Sequence, residues 1–112
     1  MKANDIQAEV YTALTSIQGA AVYDEVPESA ELPFIVIGED SFESAADCLC
    51  YANIKVEVFS SCRGYRQVKD LTAEIADRLG RMDGFLSIEG MTFDRYSEDV
   101  RHAEITARYI TA

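Results

Sequence analysis

Three cysteines and one histidine are the residues of this chain best suited to chemistry: Cys48, Cys50, Cys62 and His102. A structural zinc site needs four ligands, and the three thiolates with His102 make up that number only if the fold brings His102 to the Cys48-Leu49-Cys50 segment. A C-x-C pair alone is a weak metal signal, and a free cysteine commonly serves as a small buried hydrophobe. A nucleophile could instead be assembled from Cys62, with His102 as base and an aspartate to orient it. His102, however, falls on the polar set of an alternating stretch, where an imidazole is ordinarily solvated. Asp94, Glu98 and Asp99 cluster near the final turn and read as a solvated acidic turn. There is no glycine-rich phosphate loop, no Gly-x-Ser-x-Gly elbow and no histidine pair. The residues therefore predict no catalytic centre, no cofactor and no metal site.

The elements that would position any site are legible from periodicity. Residues 33–39, Pro-Phe-Ile-Val-Ile-Gly-Glu, are a short apolar run between breakers and predict a central strand with both faces partly or wholly covered. Before it, Asn4 and Gln7 have capping-box spacing, and Ile6, Val10, Leu14 and Ile17 form one helical stripe that Gly19 can end. Residues 21–23 read as a short extended piece and residues 28–32 as an acidic loop. Residues 53–59 and 100–111 alternate apolar and polar positions, as half-buried strands do.

A second helix is predicted from Tyr65 to Leu79, with Val68, Leu71, Ile75 and Leu79 inward and Lys69, Asp70 and Glu74 on a solvated face that allows exposed pairs. Residues 85–88 and 91–96 read as extended, separated by a break at Glu89-Gly90. The fold class predicted is α+β. It has two layers, a mostly antiparallel four-stranded sheet with both helices on one face, in the order α-β-β-α-β-β. All 112 residues form one domain on this reading, long enough to bury about two thirds of the unfolded surface.

The stretch between the two middle strands, residues 40–50, shows little periodicity and is longer than an ordinary hairpin loop. Its acids Asp40, Glu43 and Asp47 are mixed with Phe42 and Leu49, and Tyr51 follows. A fully solvated loop does not need those apolar groups. These six residues are the candidate assembly-interface arm, one that docks on a neighbour, against the plainer reading of a loop folded onto its own domain.

Charge narrows the partners. Ten basic and twenty acidic residues give a net charge of −10, which repels phosphate backbones and anionic lipid. Stable nucleic-acid binding and membrane association are not expected. No run is long enough to span a bilayer, and residues 1–5 do not lead from a basic start into an apolar core, so a cytoplasmic chain is expected.

Val22-Tyr23-Asp24-x-Val26-Pro27 followed by Leu32-Pro33-Phe34-Ile35-Val36-Ile37-Gly38-Glu39 resembles the signature of the tail-completion, or tail-terminator, proteins of long-tailed bacteriophages and gene-transfer particles. Residues 54–60 leading into Arg63-Gly64, and the closing Phe93, Asp99-Val100-Arg101-His102-Ala103 and Arg108-Tyr109, extend the likeness over nearly the whole chain. The resemblance implies a structural virion protein and not an enzyme. Such proteins form a ring, typically hexameric, that caps the tail tube, stops its polymerisation and meets the head connector or stopper. The implied partners are further copies of the chain, the tube protein and the connector. The implied location is the tail-head junction, reached from the host bacterial cytoplasm, with DNA passing through the ring. The alternatives are a head-tail neck adaptor ring and a small cytoplasmic binding or regulatory α+β module.

Overall fold

The computed structural model describes residues 6–61 and 64–111, without the side chains of Glu39 and Asp40. Helix α1 (Ile6–Thr15) buries Ile6, Val10 and Leu14 on one stripe, and Ile17 continues it into the following turn. Gly19 then takes φ +88°, the left-handed conformation that ends the helix without a Cβ clash. Of the expected capping box, Asn4 lies outside the described residues. Helix α2 (Arg66–Gly80) buries Val68, Thr72, Ile75 and Leu79. Thr72 is a polar residue in an apolar stripe, and its hydroxyl donates to the Val68 carbonyl at 2.6 Å, so it enters the core satisfied. Leu71, expected at the centre of that stripe, is half-buried at its rim. Arg78 joins the helices, donating to the Ala13 carbonyl (3.3 Å) and to the Ser16 hydroxyl at the C-terminal end of α1.

The α+β class is as expected, but the sheet has five strands in the order β1-β2-β3-β5-β4. The strands are β1 (Ala21–Tyr23), β2 (Phe34–Ser44), β3 (Cys50–Ser60), β4 (Phe85–Ser97) and β5 (Val100–Thr111). The expected count of four, and the order α-β-β-α-β-β, fail because β1 is a true edge strand. It pairs in parallel with Phe34, Ile35 and Val36, and three residues are too few to carry a readable alternation. The centre of the sheet is β3, with β2 second in line. In β2, Ile35 and Ile37 are buried while Phe34 and Val36 are half-buried on the other face.

Register explains the core. Ile35 opposes Val58 and Ile37 opposes Val56, while Ile54, Val56 and Val58 oppose Ala107, Ile105 and Ala103. All of these lie on one face, and that face carries both helices, with α1 over β1 and β2 and α2 over β3, β5 and β4. The far end of the face is closed by Tyr109, fully buried, whose hydroxyl donates to the Leu79 carbonyl at 2.7 Å. Phe85 meets it edge-on at 5.6 Å. Gly84, at φ +82°, sets the entry into β4, and its carbonyl accepts the Ile110 N–H at 2.8 Å.

Two further expectations change. The expected break at Glu89-Gly90 is absorbed into one strand, β4, through register shifts against β5. Residues 40–50 are mostly ladder and not an irregular loop. After a bulge between Ile37 and Asp40, pairing resumes at Asp40 opposite Ile54 and runs to Ser44 opposite Cys50. Only residues 45–49 form the turn, closed by Ala45 N–H donating to the Leu49 carbonyl at 3.0 Å, with Asp47 and Cys48 left-handed. Strands this long stretch the molecule to 48 × 24 × 20 Å.

Candidate assembly surface

Among the described residues, the cysteines and the histidine are not gathered together. Cys48 is exposed in the hairpin turn, and Cys50 Sγ lies 3.2 Å from the Thr111 hydroxyl. His102 opposes Phe59, nine residues along β3 from Cys50, a separation of about 30 Å at strand rise. The sheet thus keeps His102 away from the C-x-C segment. Cys62 lies outside the described residues, as does the turn residue Arg63.

His102 is far from solvated: its side chain is 12% exposed. Its Nδ1 stands 3.0 Å from Asp94 Oδ1, its Nε2 stands 3.1 Å from Glu57 Oε1, and the Phe59 ring packs against it at 4.7 Å. Asp94, expected in a solvated turn, is therefore a partner of the histidine. Lys69, expected to pair with acids on α2, instead lies over the rings of Phe93 (5.6 Å) and Tyr65 (6.0 Å). The helix ion pairs are Glu74 with Arg78 and Asp77 with Arg81.

Five of the six arm residues separate into two groups, and only the backbone of the sixth, Asp40, is described. Asp40 contributes backbone pairing with Ile54, and its side chain lies outside the described residues. Phe42 and Leu49 remain 45% and 38% exposed, and Asp47 is exposed in the turn. Glu43 and Tyr51 are drawn into a cluster on the opposite face, centred on Arg108. Its guanidinium donates to Glu43 at 3.0 Å and to Glu89 at 3.5 Å, and it stacks 4.2 Å over the Tyr51 ring. One side chain thereby ties β2, β3, β5 and β4 together. Glu89 is held below the usual carboxylate range, first by the Ser87 hydroxyl at 2.6 Å and then by Arg108.

At the other end of that face lies an aromatic patch. Tyr23 meets Phe34, Phe34 meets Phe59 at 5.2 Å, and Phe59 meets Tyr96 edge-on at 5.2 Å. Tyr96 is 68% exposed. Val26, Leu32 and Val100 border a shallow groove of about 460 Å³ beside these rings. Sequence reading passed over the patch because its members come from four strands and only register assembles them. The same holds for Arg108, although its place in an alternating series put it on the polar face.

Residues 8–112 match the family model described as tail completion protein gp17. The chain belongs to that family. It is a phage tail structural protein. A chain of the virion of a native gene transfer agent particle has a similar fold. The TM-score is 0.69 at 23% identity, covering 94% of this chain and 92% of that one. The comparison with curated proteins finds no match. Among the described residues, no helix is long and apolar enough to cross a membrane.

Proposed function

We propose that this tail completion protein forms a homomeric ring, a hexamer, that caps the finished tail tube, ends its polymerisation and presents a surface to the head connector. The observation that carries the reading is the family match over residues 8–112. The shape supports it. A closed ring needs two different patches per subunit. The aromatic patch around Phe59 and Tyr96 and the hairpin bearing Phe42 and Leu49 lie at opposite ends of a 48 Å molecule. With a net charge of −10 on each subunit, a pore lined by such chains repels DNA and lets the genome pass without adhesion. The protein acts as one domain at the tail-head junction of the virion, after folding in the host bacterial cytoplasm, and catalyses nothing.

The test is tail assembly in cells lacking the gene. Tubes should run to uncontrolled length and fail to join heads, and supplying the protein should restore one length and joining. Gold-labelled chain should mark the tube end before heads attach. Normal tube length without the protein, with label found only on finished heads, overturns the capping role and favours the neck adaptor.

A further inference from the structure

We propose that Glu57, His102 and Glu104 form a binding site for one divalent transition ion, zinc by the character of its ligands. One ligand atom from each of the three lies within 4.8 Å of the others. His102 and Glu104 are alternate residues of β5 and share a face, and Glu57 opposes Glu104 directly across the ladder. Two carboxylates in direct cross-strand opposition destabilise a sheet unless a cation compensates them. Lys55 approaches Glu104 at 3.6 Å, but it is an exposed single charge and leaves Glu57 to the histidine.

The histidine is prepared for a metal. Asp94 stands on Nδ1, and a carboxylate there fixes the proton on that nitrogen and directs the Nε2 lone pair outward. With its Nδ1–H given to Asp94, the ring turns Nε2 toward Glu57 Oε1 at 3.1 Å, a gap that a second ring proton bridges in the imidazolium and that a metal cation, displacing that proton, would bridge in its place. The spacing fits, because donors bound at about 2.1 Å stand about 3.0 Å apart at a right angle and about 3.4 Å apart at the tetrahedral angle. Rotation of Glu104 away from Lys55 completes a set of one nitrogen and two carboxylates, donors that suit zinc and its neighbours. Phe59 packs on the imidazole and holds the ring. The side chains of Glu57 and Glu104 are 30% and 33% exposed, so the remaining coordination positions open to water or to a donor from a bound protein.

The experiment is calorimetric titration of the full chain with Zn²⁺ under reducing conditions, with Co²⁺ absorption as a second readout. One ion per chain should bind, and the melting temperature should rise with ion concentration. The isosteric changes Glu57→Gln and Glu104→Gln, and His102→Ala, should each weaken binding at least tenfold. Asp94→Asn should weaken it about tenfold. A Cys48→Ser/Cys50→Ser/Cys62→Ser variant should bind normally, and the cobalt complex should lack a thiolate charge-transfer band. Absence of saturable binding, binding undiminished in Glu57→Gln and Glu104→Gln, or binding lost with the cysteines overturns the proposal. Should His102→Ala fail to fold, the two isosteric variants decide.

Discussion

Tyr109 shows how much rests on one side chain. Its ring closes the core, and its hydroxyl is the donor that satisfies the Leu79 carbonyl near the end of α2. Burial pushes its pKa well above the ordinary tyrosine value. Because the folded pKa is raised, its contribution is complete below about pH 10, where the unfolded tyrosine ionises, and is lost as pH rises further toward the folded value. Wild-type stability should therefore fall above about pH 10 in denaturant titrations. Tyr109→Phe should cost about 1 kcal/mol at neutral pH and show a shallower alkaline decline. An equally steep decline in Tyr109→Phe would place the alkaline sensitivity elsewhere. Ile35→Asp places an unpaired charge against Val58 in the core and should unfold the chain, since the cost of several kcal/mol rivals total stability. Circular dichroism checks it; a folded variant with unchanged melting would remove β2 from the core.

Among the elements, the helices and the paired strands β3 and β5 were legible because each presents one face to the core and one to water. Residues 40–44 were not, for a physical reason. Strand β1 covers only Phe34 to Val36, so beyond it β2 is itself the sheet edge and lies past the helices. Both faces meet solvent, and no alternation is selected. The six proposed arm residues were thus found by composition, while the division of Phe42, Asp47 and Leu49 from Glu43 and Tyr51, between an exposed tip and the Arg108 cluster, needed the register. Likewise His102-x-Glu104 was visible as a same-face pair, but Glu57 joins it only through pairing of β3 with β5. The hairpin carries its own prediction. Phe42→Ser with Leu49→Ser changes exposed side chains and should alter stability by less than about 0.5 kcal/mol each. If they anchor a neighbouring subunit or the tube, truncation should cost more than about 1 kcal/mol each in assembly. The expected result is a protein of normal melting temperature that no longer caps tails. Normal capping would remove the hairpin from the interface, and loss of folding would assign these residues to the core.

For the whole molecule, charge is the quantity that decides behaviour. Subunits of −10 repel one another, and added salt screens that repulsion to within about 8 Å at physiological strength and about 3 Å at 1 M. Self-association should therefore strengthen as salt rises, the reverse of an interface held by opposite charges. Sedimentation velocity at low and high salt measures this directly; weakening with salt would show that ion pairs hold the ring. The same protein should leave linear DNA unshifted in a gel at low salt, where any affinity would be greatest.

The pairing of β3, unbroken with β5 and interrupted by a single bulge with β2, has a mechanical consequence. Its hydrogen bonds to β2 and β5 run perpendicular to the strands, from Phe59 near one end to Cys50 at the other. Tension applied along the hairpin axis is borne as shear, with every rung of both ladders strained at once. A pull across the axis would instead peel the rungs away singly. A subunit tethered by its hairpin tip at one end and its aromatic patch at the other would be stretched along its stiff direction.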